Sequence, residues 1–600
     1  MLIIVGYLYF TKPTDAELQK ERIVQHNDSV KKGLIPNNTL KPTANTVKKD
    51  TATANVAADS ARLKSPFGAA TFGKDQLVNL ENKDIAVKIS NRGGRVYSVE
   101  LKNYKTFSKK PLILFDGSKN HFGFVFYAAN KKINTDSLYF NNTAGNVKVA
   151  ASDSSGITLR LSYSPTQYID YVYSLKGTGY KLDLAVKPTG LDGVIANSGS
   201  FNLDWQTSLL KQEKDMKQER QYSTLYYLNA DDEDNSLSVS KDEQKEITDK
   251  KLNWVAFKQH FFSNVLIAKD GFSHADLAVA TDVDDTTDVK EMKANLNVSR
   301  NAAGNIPLEF YFGPNRFLTL KAQGHDLDKL VDFGPWGLKY INRFAVLPVF
   351  NFLAQFNWNY GLIILVLTVL LKLVLMPLTY KSYLSMAKMR VLKPEMDEIK
   401  AKVGEDNPTL LQQEYLKLYK KAGVNPLGGC LPLLIQMPIV IAFFRFFPSL
   451  FELRGQGFLW MHDLSTYDSV ISFAPVFGVD HISLMCLLMT ISTLIYTYFN
   501  NQISGATGQM KYIGYITPII FLVTLNSYPA GLNYYYFLAN MFTFAQQYII
   551  RLLVDDKKIH AQIQENKKKP EDPAKKKKAG FQARMEEMMR QQQQLQAKKK

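Results

Sequence analysis

The sequence predicts a polytopic α-helical membrane protein, with five spans plus an N-terminal anchor, that carries an all-β domain outside the cytoplasm. Three observations predict it. Apolar residues concentrate between positions 360 and 553 in runs too long and too poor in charge for a soluble core. Between about 76 and 322 the pattern is instead a period-two alternation broken by Gly, Asn and Asp. Lys and Arg are spread unevenly over the connections, which sets the orientation. The average composition, 46% hydrophobic and 22% charged over 600 residues, hides this division. Both cysteines, Cys430 and Cys486, sit in apolar runs, which excludes a disulfide scaffold and a Cys-type zinc site.

The first ten residues, MLIIVGYLYF, are apolar but cover only about half of the ~20 residues that a spanning helix needs. Residues 1–10 read as the outer half of an anchoring helix, from a start that is either incomplete or shortened. A cleaved signal peptide fits less well, because no basic segment precedes the run and no small-residue cleavage site follows it. Residues 11–75 are rich in Lys, Thr, Asn, Ala and Asp, so they bury too little surface to offset the entropy of ordering and read as a tether. Residues 76–322 read as a β-sandwich. Ile85, Val87 and Ile89 alternate with polar neighbours, as do Ile157, Leu159 and Leu161, then Leu182, Leu184 and Val186, and finally Leu308, Phe310 and Phe312. The mixed-charge stretch from Lys211 to Lys251 reads as a long excursion from it.

Residues 325–356 place Trp336, Tyr340, Phe344 and Leu347 at helical spacing among Lys339, Asn342 and Arg343, the pattern of an amphipathic helix lying along a membrane surface. A soluble helix on the sandwich is the other reading. Within residues 357–553, candidate spans cover 361–378, 430–448, 481–499, 512–527 and 531–553. The connection 379–429 carries nine Lys and Arg and the loop 449–480 only Arg454. The first connection and the C-terminus are therefore cytoplasmic, and the 449–480 loop and the sandwich lie outside. Residues 379–425 read as a helical hairpin. Its first arm bears Met386, Met389 and Met396, and its second starts at Asn407-Pro408 with a stripe of Leu411, Tyr415, Leu418 and Ala422. These faces either pack on one another or form an adaptable surface, rich in Met, that receives hydrophobic clients. The tail, 557–600, carries 14 Lys and Arg against 5 Asp and Glu and reads as disordered and cationic.

Catalytic constellations are absent from the sequence: there is no Gly-x-Ser-x-Gly, Walker loop or His-Glu-x-x-His, and the eight histidines are scattered. No enzyme activity, cofactor or metal is expected, and the sandwich shows no convergent carboxylate or histidine pair. The informative residues are polar groups inside apolar helices, which are costly unless they face protein or water. Lys372 lies six residues before the cytoplasmic end of the first span, about 9 Å deep, with Thr368 one turn earlier on the same face. Snorkelling explains a lone lysine at that depth. Gln436 and Arg445, Thr490, Ser492, Thr493 and Thr497, and Asn533, Asn540, Gln546 and Gln547 in later spans point further, to a wet cavity with a fixed positive charge.

The segments MPLTYKSYLSMAKMRVLKP (376–394), VNPLGGCLPLLIQMPIVIAFF (424–444), WMHDLS (460–465) and YPAGLNYYYFLAN (528–540) resemble the YidC family of membrane protein insertases. WVAFKQHFFSNVLIA (254–268) and EFYFGP (309–314) resemble the periplasmic β-supersandwich of that family's larger members. The resemblance implies a five-helix insertase core whose hydrophilic groove opens to the cytoplasm and to lipid. Lys372 stands where the family carries a positive groove residue, usually Arg, which keeps the charge but not the guanidinium fork. Thr368 matches the groove threonine. Tyr535 or Tyr536 matches a tyrosine that touches substrates, with the spacing from Gly531 favouring Tyr536. Groove residues are then Lys372, Thr368, Gln436, Asn533, Tyr535 and Tyr536; client contacts on the hairpin are Met386, Met389, Met396, Tyr415 and Leu418. The expected function is insertion and folding of newly made membrane proteins at the bacterial inner membrane. Expected partners are nascent membrane proteins, lipids, a ribosome held by the basic tail and, by resemblance, a Sec-type translocon. A secondary transporter or channel is the alternative, though no self-similarity links the first and last spans. A carbohydrate-related protein working through its sandwich is a third reading.

Overall fold

Strict alternation over nine to twelve residues leaves one face of a strand apolar, and such strands bury that face only by pairing and stacking. The computed structural model describes residues 62–142, 145–195, 200–231, 233–335, 337–404, 408–425, 428, 431–476, 479–504 and 509–568. The anchor at 1–10, most of the tether, Trp336, Asn407, Cys430 and the tail beyond Lys568 lie outside them. The chain divides into two units: Met1–Arg343 with Phe444–Asp468 and Pro529–Gly531, and Phe344–Phe443 with Ser469–Tyr528 and Leu532–Lys600.

The first unit is β-rich, with a 14-stranded and a 5-stranded sheet among the described residues. Its longest strand, Phe262–Ala280, changes partners halfway. The first half pairs with Leu252–Lys258 and Ile306–Pro314, the second with Glu243–Ile247 and Asp288–Ser299. The change falls at Gly271, whose φ of +74° suits a residue without Cβ, and at a bulge between Phe272 and His274. Both sheets share one core, in which Leu80, Val87 and Val99 from the smaller join Leu184, Leu203 and Leu266 from the larger. Trp205 stacks on Phe257 at 3.8 Å within it.

Three expectations for residues 11–356 are corrected. The stretch 211–251 is not an excursion: Thr224–Asn229 pairs with Leu252–Lys258, and Glu243–Ile247 with the long strand. Leu225, Tyr227, Leu228 and Ile247 are buried; Thr224–Asn229 is covered on both faces, carries no charge and does not alternate, and the charge-rich segments that flank it masked the strands. The tether ends before residue 75, because Phe67 and Ala70 are buried in the core and Phe67 meets Phe126 and Tyr163 edge-on. The single helix expected over 325–356 is broken. A 3-10 turn at Leu327–Leu330 is followed by a short helix, Leu338–Tyr340, which runs through a π-helical turn at Ile341–Val346 into Leu347–Ala354. Gly334, at φ +102°, and Pro335 interrupt what precedes it. Leu347 is buried, whereas Tyr340 and Phe344 are exposed, so these three do not share one face.

The second unit is helical. Among the described residues no single helix is long and apolar enough to cross a membrane; Tyr360–Val374 and Met376–Val391 pass that test only together, bent by 59°. The span expected at 361–378 therefore breaks at Leu375. Pro377 is the cause, since it donates no backbone hydrogen bond and its ring displaces the carbonyl four residues back. Pro394 breaks the first hairpin arm in the same way, giving Met376–Val391 and Lys393–Val403 before the second arm, Pro408–Ala422. The third expected span loses residues 481–483 to a two-stranded hairpin, Ser469–Val476 with Val479–Ser483. The helix starts at Leu484 because the Ser483 hydroxyl caps it, accepting from the Cys486 amide at 3.1 Å. Leu431–Ser449, Gln509–Leu525 and Ala530–Leu553 begin and end within three residues of the expected bounds.

The tail is corrected over its first turns. Asp556–Lys568 is a helix, capped by the Asp555 carboxylate, which accepts from the Lys557 amide at 2.9 Å. Ile559 and Ile563, one turn apart, are buried against the hairpin with Tyr383, Met386, Ala387, Leu392, Ala422 and Val424.

Candidate functional site

Polar residues inside apolar helices need partners, and in the helical unit several of them find theirs on one helix. Along Ala530–Leu553, Asn533, Tyr536, Asn540, Thr543 and Gln547 recur at intervals of three and four, so they form one stripe. From Asn533 to Thr543 this stripe runs about 15 Å along the helix axis. Four other helices among the described residues meet it or its edge, one of them through the Leu525 carbonyl that accepts from Asn533. The Lys372 ammonium donates to the Thr543 hydroxyl at 2.7 Å, and Gln546 donates to the Lys372 carbonyl at 3.0 Å. Asn540 donates to both Ser492 Oγ at 2.9 Å and Thr493 Oγ1 at 2.8 Å. The Tyr536 hydroxyl reaches the Val440 carbonyl at 3.4 Å.

Lys372 is 8% exposed, and among the described residues no carboxylate lies within 4.0 Å of its ammonium. Thr368 is fully buried, with its hydroxyl committed to the Ile364 carbonyl at 2.7 Å, so it contributes shape and a small dipole but no free donor. Asn533 is buried and donates to the Leu525 carbonyl at 3.2 Å, while its own Oδ1 has no hydrogen-bond partner among the described residues. An unfilled acceptor in a buried setting is the place where water or a polar guest is most stabilised. Gln436 is half-buried on its helix. Tyr535 is buried edge-on against Phe443, with ring centroids 4.5 Å apart, and Tyr536 belongs to the polar stripe. Arg445 does not join this group; it faces Asp332 at 3.5 Å in the β-rich unit.

The hairpin residues separate into two sets. Met386 is buried in the core shared with the 556–568 helix, which removes it as a surface contact: the face that sequence leaves unpartnered is covered by Ile559 and Ile563. Met389 and Leu418 are half-buried at the edge of that core, and Tyr415 is half-buried. The Met396 thioether accepts from the Tyr419 hydroxyl at 3.2 Å, which ties the two arms together. Arg390 grips Asp556 through 2.7 and 2.9 Å contacts, and Lys567 pairs with Glu395.

Two features escaped the sequence reading. Thr543 is an ordinary helix residue in the sequence, and only the approach of Lys372 from another helix singles it out. In the β-rich unit, Glu246, His274 and Asp276 converge, contrary to the expectation that the sandwich holds no such group. Strand register brings Glu246 opposite Asp276, a pairing that lies 30 residues apart in sequence and that alternation alone does not reveal.

Residues 352–558 match the family model described as 60Kd inner membrane protein, and residues 77–344 match that of the YidC periplasmic domain. A protein of Parabacteroides distasonis named membrane protein insertase YidC is 38% identical, over 98% of this chain and 95% of its own length. One of Bacteroides fragilis with the same name is 37% identical, over 99% and 96%. Among solved structures, a crystal structure of active YidC insertase with its first transmembrane domain resolved covers 79% of this chain and 92% of its own, at 20% identity and a TM-score of 0.33.

Proposed function

The chain belongs to the YidC family of membrane protein insertases, with that family's periplasmic β-rich domain, and from this premise we propose that its insertion route is the polar stripe of Ala530–Leu553 together with Lys372. It is an inner-membrane protein that inserts newly made membrane proteins. The observation that carries the proposed route is the pairing of Lys372 with a neutral hydroxyl instead of a carboxylate. A charge so held keeps its attraction for an acidic group that arrives later.

Each charged residue of a substrate's outer tail costs several kcal/mol at mid-membrane. Polar groups spread over about 15 Å of helix shorten the hydrocarbon that the tail must cross. Lys372 attracts its acidic residues transiently, and release of the apolar segment into lipid supplies the driving force. In this reading the five apolar segments span the bilayer, the hairpin and C-terminus are cytoplasmic, and the half-buried Met389, Tyr415 and Leu418 are where a client first touches the hairpin. The basic residues after Lys568 hold a ribosome or anionic lipid, and a Sec-type translocon acts alongside for larger substrates. Thr368, Gln436, Asn533 and Tyr535 line or shape the route.

Reconstitution tests this function. Liposomes holding only the purified full-length protein should protect the translocated tail of a single-span substrate from external protease, without ATP. Protection equal to that of empty liposomes rejects the reading.

A further inference from the structure

The outward face of the second half of Phe262–Ala280 carries a set of side chains that the insertion route does not use. Ala275, Leu277 and Val279 point into the core, so His274 and Asp276 point away from it, on the same face as each other. Glu246, on the edge strand Glu243–Ile247, stands directly opposite Asp276. One potential ligand atom from each of the three lies within 4.8 Å of the other two.

The spacing suits a metal ion. Two ligand atoms held at about 2.0–2.1 Å in a tetrahedral site lie about 3.4 Å apart. His274 Nε2 and Asp276 Oδ2 are already 3.3 Å apart. Glu246 is exposed and on an edge strand, so rotation of its side chain brings its carboxylate the remaining distance. The site's surroundings leave room for solvent ligands. His274 and Asp276 form part of the wall of a cleft of about 370 Å³, which Asn202, Asp204, Lys293 and Asn295 also line. Asp204 Oδ1 is buried there with no hydrogen-bond partner among the described residues, an acceptor suited to a bound water or its proton.

We propose that Glu246, His274 and Asp276 bind a divalent transition-metal ion, Zn²⁺ being the probe, on the outward sheet face of the β-rich unit, with its remaining coordination positions open to the cleft. The ligand set decides the class: an imidazole with two carboxylates favours zinc and its neighbours over Ca²⁺ or Mg²⁺, which prefer oxygen alone. Bound metal ties the edge strand to the long central strand, so the folded unit gains stability with metal concentration.

Calorimetric titration of the detergent-solubilised full-length protein with Zn²⁺, with thermal melting in parallel, tests this. The wild type should show one site that excess Ca²⁺ does not displace, and its melting midpoint should rise with Zn²⁺. His274→Ala and Asp276→Asn should each bind about tenfold more weakly or worse, since loss even of an outer-shell partner costs that much. Glu246→Gln, at an exposed edge position that the fold does not depend on, should also weaken binding. His121→Ala should keep the site, because His121 is occupied by Asp136 at 3.0 Å. A wild type without a zinc site, a site that survives His274→Ala and Glu246→Gln, one lost equally in His121→Ala, or displacement by Ca²⁺ overturns the proposal.

Discussion

The Thr543 hydroxyl accepts from the Lys372 ammonium at 2.7 Å and donates its own proton to the Ala539 carbonyl at 2.6 Å. Lysine is thus positioned by a dipole that neutralises none of its charge. Lys372→Glu should reduce insertion of substrates with acidic outer tails by about tenfold or more, because it reverses the sign of the interaction. Lys372→Arg should be tolerated, and substrates without acidic tails should depend less on the residue. Thr543→Val should weaken the contact between the two helices by about 0.6–2 kcal/mol and leave the sign of the charge effect intact. Insertion assays on paired acidic and neutral substrates check both.

Ile563 is buried against both arms of the hairpin. Ile563→Asp places a charge in that core, so the 556–568 helix should detach and hydrogen exchange around Met386 should accelerate. If the hairpin's Met face receives clients, crosslinking of nascent chains to Met389 should rise in the same variant. Unchanged crosslinking with accelerated exchange would retire the client role and leave the hairpin as self-packed structure.

His260 gives the β-rich unit a pH dependence. Burial, with Tyr222 stacked at 4.5 Å, lowers its pKa from 6.5 to about 3, and its Nε2 stands 2.8 Å from the Pro448 carbonyl. A depressed histidine pKa means that the unfolded chain takes up a proton below pH 6.5 while the folded one does not. Stability is then level above about 6.5 and falls as pH drops toward about 3, by about 1.4 kcal/mol per unit from this group. Denaturation followed between pH 7.5 and 5 should show a shallower fall for His260→Gln. Parallel curves for the two proteins contradict this.

Since residues 556–568 belong to the hairpin's core, the candidate anchor is Lys569 with Lys575–Lys578 and Lys598–Lys600. A chain ending at Lys568 should keep its fold and lose co-sedimentation with ribosomes. The wild-type binding should weaken steeply with salt, as phosphate contacts do. Equal binding by both chains means that the tail is no ribosome anchor.

Alternation and apolar runs made the division into a β-rich and a helical part legible, because those signals are local. Breaks at Pro377 and Pro394 were also readable in principle, yet hydropathy averages over them. The strands within 211–251 were not legible, since Thr224–Asn229 is buried on both faces instead of alternating and the segments around it are rich in charge. Lys372 stood out as a charge in an apolar run, but its partner Thr543 did not: a threonine in a helix is unremarkable until another helix brings a lysine to it. The Glu246–His274–Asp276 cluster depends on strand register, which no single stretch of sequence encodes. Burial of Met386 was hidden for a similar reason, its partners Ile559 and Ile563 lying more than 170 residues away.

Site-specific photo-crosslinking to a stalled nascent chain tests the proposed route most directly. A photoreactive residue at 436 or 536, the two positions assigned to the proposed route, is compared with one at 552, where Leu552 is 71% exposed on the last helix. Crosslinks from 436 and 536 that move along the nascent chain as it lengthens, with little from 552, are the predicted result. Labelling from 552 as strong as from 536, or none from 436 and 536, contradicts the account.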